Sequence, residues 1–108
     1  MNAQTERLSL AGPAGAIEAA RDAAAAGAAP RGVAVIAHPH PLFGGTMDNK
    51  VVQTLARAFV LSGFAAVRFN FRGVGASAGV HDDGQGELDD LLAVVRQLSP
   101  RTISAYRD

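Results

Sequence analysis

Apolar residues occur in short runs separated by glycine and proline, which predicts a mixed α/β domain. Residues 33–37, VAVIA, form a continuous apolar run, as expected of a strand buried on both faces. In residues 64–71, FAAVRFNF, apolar and polar positions alternate, which predicts a second strand. Short connections make these two strands parallel neighbours, joined by a right-handed crossover.

Two helices are predicted from apolar residues at helical spacing. The first begins at Thr46 or Asp48 and stops at Gly63, a natural C-terminal glycine. Its apolar stripe is Val51, Val52, Leu55, Phe59 and Ser62. The second helix covers about 87–98, with acidic residues in its first turn and Arg96 near its end, which suits the helix dipole. Its stripe is Leu88, Leu91, Leu92, Val95 and Leu98, and Pro100 closes it.

The N-terminal part predicts a β-hairpin. The sequence GPAG at 12–15 is a strong turn signal between strands near 7–11 and 16–21. Helix propensity alone would favour a helix in the alanine-rich stretch 16–26. Residues 22–32 follow as a loop of small residues.

The end of the chain leaves the predicted architecture unfinished. The last helix implies a further parallel strand on its C-terminal side. Residues 101–108, RTISAYRD, are a poor candidate for that strand because few of them are apolar.

Composition narrows the class of protein. The chain has 108 residues, one domain or part of one, and its zero net charge without a basic run argues against nucleic acid as a partner. It contains no cysteine, which excludes disulfides and thiolate metal sites. The N-terminus lacks a signal-peptide pattern, and the longest run of small residues, 23–29, is too short to span a bilayer. We therefore expect a soluble cytoplasmic protein.

The sequence GASAG at 75–79 matches G-x-S-x-G, the signature of a serine nucleophile on a sharp strand-to-helix turn. That geometry needs a strand directly before the motif and a helix directly after the serine. Three residues separate the strand from this motif, and AGVHDDGQG follows Ser77 before any helical pattern begins. We therefore reject Ser77 as a nucleophile. The missing helix also argues against a dinucleotide site at GVGASA, 73–78.

A metal site is a weaker alternative. His38, His40, His81 and Asp82 follow the carboxyl ends of adjacent parallel strands, where side chains of these types can hold zinc. No second cluster of metal-ligating residues supports this interpretation, so no metal is expected.

The turn HPHPLFGG at 38–45 offers backbone donors instead. Pro39 and Pro41 have no N–H, which leaves the amides of His40, Leu42, Phe43 and the glycines beyond. Directed amides between a buried strand and a helix are how acyl-transfer enzymes hold an oxyanion. A turn that is merely stiffened by proline explains the same residues equally well.

A family resemblance rests on three stretches of the sequence, AHPHPLFGGTMDNKVVQTLARAF, GFAAVRFNFRGVGASAG and DDGQGELDDLLAV. They resemble a family of small bacterial α/β-hydrolases that is distantly similar to dienelactone hydrolases and to serine peptidases or esterases. The resemblance covers about residues 7–98. It implies the N-terminal half of an α/β-hydrolase fold, an antiparallel hairpin followed by a parallel strand, helix, strand and helix.

The resemblance also implies roles for the two loops. It identifies HPHP with the oxyanion-hole turn, where the backbone N–H of His40 is expected to bind the oxyanion. The backbone N–H of Leu42, one of the donors available in the turn, is the second candidate. It places GASAG in the loop after the fourth strand, and the true nucleophile elbow beyond the helix at 87–98. The sequence departs from the family near residue 100, so no residue inherits the nucleophile, acid or base role. The 108 residues are expected to form one partial domain, truncated near residue 100 and inactive alone, without a cofactor.

In the intact family, the implied activity is hydrolysis of a small-molecule ester, thioester or amide. The alternative is a non-enzymatic half-domain that self-associates or pairs with another chain. The surface for that pairing would be an open sheet edge beside residues 64–71.

Overall fold

A computed structural model describes residues 5–25, 29–98 and 102–104, which form a five-stranded sheet with a helix on each face. The elements are β1 (Glu6–Gly12), β2 (Gly15–Asp22), β3 (Val33–Ile36), α1 (Lys50–Leu61), β4 (Ala65–Phe69), α2 (Gln85–Arg96) and β5 (Thr102–Ser104). Neither helix in these ranges has the length and apolar content that a membrane crossing requires. Residues 26–28 of the expected loop, and Pro100, lie outside the described residues.

The N-terminal hairpin is confirmed. β1 and β2 pair antiparallel down to Gly12 opposite Gly15, and Gly15 has a φ of 123°, which a side chain would disfavour. The alanines of β2 do not form a helix because β2 lies between β1 and β4 in the sheet, with Ala19 and Ala20 fully buried. Burial within the sheet overrides the helix propensity of alanine here.

The parallel strand–helix–strand unit is also confirmed. β3 pairs parallel with β4, and all four residues of β3 are buried. Because side chains alternate between the faces of a strand, Val67 and Phe69 pack in the core on the α2 side. Ala66 packs on the other side, against Val52 and Ala56 of α1.

The open sheet edge predicted beside residues 64–71 is wrong. β4 pairs antiparallel with β2 on one side and parallel with β3 on the other, so it is an interior strand. The sheet order is β1-β2-β4-β3-β5, so β1 and β5 are the edge strands of the described sheet. The prediction failed because strand β2 of the N-terminal hairpin pairs with the side of β4 that was expected to be open.

Residues 102–104 form a strand despite their low apolar content. β5 pairs parallel with β3, from Thr102 opposite Val33 to Ser104 opposite Val35. This is the further parallel strand that the last helix implies, in a segment judged a poor candidate. Its backbone pairs with β3, a strand whose four residues are all buried.

α1 begins later than predicted and buries a different stripe. Asn49 caps it, since its Oδ1 accepts the N–H groups of Val51 at 2.8 Å and Val52 at 3.3 Å. The buried residues are Val52 and Ala56, with Phe59 and Val60 partly buried. The predicted members Val51 and Leu55 remain 64% and 40% exposed. Together with exposed Ala58 they form a second apolar row, here called the side stripe.

α2 turns two acidic residues inward. It starts at Gln85, and Glu87 and Asp90 are buried together with Val94. The predicted stripe member Leu88 is instead 55% exposed. The helix is rotated in this way because Asp90 accepts two hydrogen bonds from the Arg72 guanidinium and one from the Arg72 backbone N–H. Of the acidic residues expected in the first turn, Glu87 lies there, whereas Asp90 lies in the second turn and bonds the neighbouring loop.

Candidate functional site

The turn after β3 is a short 3₁₀ helix, Pro41–Phe43, between two left-handed residues. His40 has φ 50° and ψ 57°, and Gly44 has φ 79°. The carbonyl oxygen of His40 accepts the N–H groups of Phe43 and Gly45, both at 3.0 Å. A Cβ at Gly45 would lie 1.8 Å from the carbonyl oxygen of Pro39, so only glycine fits there.

Two amides of this turn remain unused. Phe43 and Gly45 spend their N–H groups inside the turn, and the two prolines have none. The N–H groups of His40 and Leu42 donate to no acceptor among residues 5–25, 29–98 and 102–104. Both residues are exposed, Leu42 to 63%. Of the candidate donors that the sequence offers, the structure engages those of Phe43 and Gly45 and leaves those of His40 and Leu42 without a described acceptor.

His38 ties the start of this turn to the end of β4. Its ring is buried, and Nε2 accepts the backbone N–H of Phe71 at 3.1 Å. Since Nε2 accepts, Nδ1 carries the proton and donates to the carbonyl oxygen of Pro39 at 3.0 Å. Burial lowers the pKa of His38 below its ordinary value of 6.5, although the bond to Pro39 acts in the opposite direction. The ring is therefore neutral at pH 7, and both nitrogens are occupied.

Asn70 links the end of the turn to the residues that follow β4. The residue is 4% exposed, and Oδ1 accepts the backbone N–H of Met47 at 2.8 Å. Its Nδ2 donates to Oε1 of Glu18 on β2, also at 2.8 Å. The amide turn is thus held at both ends by the carboxyl end of β4.

Ser77 lies in a buried backbone contact. Ser77 is 6% exposed, and its Oγ donates to the carbonyl oxygen of Asn70 at 2.6 Å. The same Oγ accepts the backbone N–H of Glu18 at 2.9 Å. Gly75 of the same motif approaches the site closely, since a Cβ there would lie 2.5 Å from Oε1 of Glu18. Small residues in GASAG therefore let the loop fold onto β2.

His81 and Asp82 lie at the start of α2. Nδ1 of His81 is 3.1 Å from Oε2 of Glu87, and Nε2 is 3.3 Å from Oδ1 of Asp83. The Glu87 carboxylate accepts the backbone N–H groups of Asp82 and Gly84, each at 2.9 Å. Burial disfavours its charge, but these bonds outweigh burial and lower the pKa of Glu87.

The histidines are not brought together as a metal site. Both nitrogens of His38 are bonded to backbone groups, and His81 faces carboxylates of its own loop. Within the described ranges, no three metal-ligating side chains converge.

Sequence reasoning missed Asn70, Glu18 and the anchoring role of His38. The available signal was two polar residues, Arg68 and Asn70, in an otherwise apolar strand. The alternation was used only to predict a strand, whereas both polar residues are buried, Arg68 in the interior strand β4 and Asn70 directly after it.

Comparisons with known proteins support the fold. No protein-family model matches the chain. An uncharacterized protein of Rickettsia prowazekii is 42% identical over 94 residues, covering 87% of this chain and 39% of that protein. An α/β serine hydrolase homologue from Coxiella burnetii is 49% identical with a TM-score of 0.81, covering 85% of this chain and 44% of its own. An α/β serine hydrolase without a lid from Xanthomonas campestris is 42% identical with a TM-score of 0.81, covering 96% and 50%.

The chain therefore spans between 39% and 50% of the length of these relatives. The matched part of the solved structures is their N-terminal half.

Protonation of His38 is expected to destabilise the fold at acidic pH. Because its pKa is lowered by folding, the unfolded chain binds the proton more readily, and stability falls as pH drops below about 6.5. His38→Gln should remove this acid-dependent loss. At pH 7 it should cost less than the about 1–3 kcal/mol of an orphaned buried N–H, because the glutamine amide oxygen is also an acceptor for the Phe71 N–H. Urea unfolding between pH 7.5 and pH 5 measures both effects.

The exposed His40 provides the matched control for this pH series. His40→Gln removes an imidazole from the same turn but leaves the bond between His38 and Phe71 in place. It should keep the acid-dependent loss of the unmodified chain. If the stability of His38→Gln fell with pH as steeply as that of the unmodified chain, His38 would not be the group whose protonation destabilises the fold.

Proposed function

Since the chain has the N-terminal half of an α/β-hydrolase fold, we propose that it supplies the oxyanion-binding turn of a serine hydrolase. The reaction is hydrolysis of a small-molecule ester, thioester or amide through an acyl-serine intermediate. The observation that carries this proposal is the pair of unused amides, His40 and Leu42, in a turn anchored at both ends. The turn also follows the carboxyl end of β3, the sheet edge at which α/β folds place ligands.

The chemistry needs donors that are fixed before the reaction begins. When a nucleophile attacks a carbonyl carbon, negative charge develops on the carbonyl oxygen. Amides that already point at that oxygen stabilise the charge without reorganisation, and one such donor contributes about 10²–10³ in kcat. His38 and Asn70 provide this fixation, since they hold the turn through buried hydrogen bonds.

The nucleophile is proposed to lie outside these 108 residues. The Oγ of Ser77 is buried and both donates and accepts a hydrogen bond to backbone groups, which supports its rejection. The ring of His38 is likewise committed to the backbone and is not offered as a general base. This chain alone is therefore expected not to turn over substrate.

The second candidate is a half-domain that associates through its sheet edge. β5 lies at the end of the described sheet, and only its side toward β3 is paired within those ranges. The side stripe of Val51, Leu55 and Ala58 adds exposed apolar surface on α1. An open parallel edge beside apolar surface favours pairing with another polypeptide.

A chimaera tests the proposed oxyanion turn. Residues 5–98 of this chain are joined to the second half of the Xanthomonas campestris relative, and hydrolysis of p-nitrophenyl acetate is measured. Leu42→Pro removes one proposed donor, whose N–H makes no described hydrogen bond, and it also disfavours the helical backbone of Pro41. It should lower kcat by about 10²–10³.

Leu42→Ala is the matched control because it shortens the side chain and keeps the N–H. It should retain most of the kcat. If the chimaera hydrolyses the ester and both variants turn over equally fast, the Leu42 amide does not bind the oxyanion.

A fluorophosphonate probe tests the rejection of Ser77. Such probes label activated serines, and the buried, doubly bonded Oγ of Ser77 should stay unlabelled in the 108-residue chain. Mass spectrometry of the treated chain locates any adduct. A phosphonyl group on Ser77 would contradict the proposal.

Sedimentation velocity separates the two candidate functions. A half-domain that works by self-association should show a sedimentation coefficient that rises with concentration. A monomer across the whole range would argue against the second candidate and leave the oxyanion proposal unaffected.

A further inference from the structure

Arg68 is a buried guanidinium whose hydrogen bonds go to one short segment. Its side chain is 0% exposed, and Nη1 donates to the carbonyl oxygen of Met47 at 3.0 Å and to Oδ1 of Asp48 at 2.6 Å. Its Nε and Nη2 find no partner among the described residues. Unpaired buried donors destabilise a fold, and a buried ion pair can often be replaced by an apolar residue without loss. Stability therefore does not explain an arginine at this position.

The segment that Arg68 holds is the exit of the amide turn. Arg68 binds the carbonyl of Met47, and Asn70 binds its N–H at 2.8 Å. Arg68 lies in β4 and Asn70 directly follows it, two residues further on, so that both side chains reach the same junction. Met47 itself is 1% exposed and lies between Gly45, the last residue bonded inside the turn, and Asn49, the cap of α1. Its peptide groups are thus clamped at the junction between turn and helix.

We propose that Arg68 and Asn70 are positioning residues that set the direction of the His40 and Leu42 amides. His38 fixes the entry of the turn, and this clamp fixes its exit, so the turn cannot pivot as a unit. Asn70 also binds Glu18, whereas every described hydrogen bond of the Arg68 side chain goes to this junction. The catalytic purpose of this arrangement rests on the proposed function. The clamp itself, formed by Arg68 and Asn70 on Met47, can be tested without measuring turnover.

The test uses the 108-residue chain with Arg68→Met. Methionine keeps a long flexible side chain and removes every donor. The urea midpoint should stay the same or rise, because two unpaired buried donors are lost and Asp48, 54% exposed, remains solvated. The ¹H–¹⁵N resonances of His40 and Leu42 should shift. The Phe43 and Gly45 amides should exchange with solvent about fivefold faster, roughly the factor for one lost hydrogen bond.

Two further variants give the experiment its specificity. Arg68→Lys keeps a cationic donor and should return the turn resonances part of the way toward the original spectrum. Arg72→Met breaks the pair with Asp90, which is 1% exposed, and should lower the urea midpoint without moving the turn resonances.

The results decide the inference in either direction. A retained midpoint together with shifted turn resonances, partly restored by lysine, supports a positioning role. A lowered midpoint, an unfolded variant, or turn resonances that do not move would overturn it. A chimaera whose activity ignores Leu42→Pro would refute the oxyanion role alone, because the amide spectrum does not depend on catalysis.

Discussion

Asn70 ties three separate segments of the chain to the carboxyl end of β4. Its backbone N–H donates to the carbonyl of Glu18 at 2.9 Å, and its own carbonyl accepts the hydroxyl of Ser77. Its side chain binds the Met47 N–H and the Glu18 carboxylate. An amide is suited to this place because it accepts on one side and donates on the other. The hairpin, the amide turn and the glycine-rich loop all meet through this one residue.

A buried polar network of this kind has consequences for a core built largely from small residues. Alanine and valine dominate the buried apolar positions, and such side chains pack in many alternative ways. Hydrogen bonds are directional, so a satisfied network selects one arrangement among them. The bond between His38 and the Phe71 N–H adds a second link between the loops that follow β3 and β4. The site therefore takes its precision from polar contacts, and the apolar contacts supply the bulk of the burial.

The sequence was sufficient for the hairpin, β3, β4 and the two helices, but not for β5 or for the lateral order of the strands. The GPAG turn, the apolar run of β3 and the glycine at the end of α1 act locally, and their predictions hold. The place of β4 between β2 and β3 depends on long-range pairing that no local pattern encodes. The α2 face was misjudged for a similar reason, because Asp90 turns inward to meet Arg72 from another loop. At the site, proline and glycine in the sequence indicated the turn. They could not show which N–H groups stay free, because that depends on the His40 carbonyl oxygen accepting those of Phe43 and Gly45.

The interior position of β4 also sets an order of assembly during synthesis. β2 is complete at Asp22, yet its partner β4 begins at Ala65, about forty residues later. At translation rates of about 5–20 residues per second, the hairpin emerges roughly 2–8 s before the strand that completes its pairing. Throughout that interval the outer edge of β2 is unpaired, and β3 also lacks its neighbour β4. The nascent chain therefore carries these two unpaired strand edges until β4 is made, and the residue that organises the site, Asn70, is the one that directly follows β4.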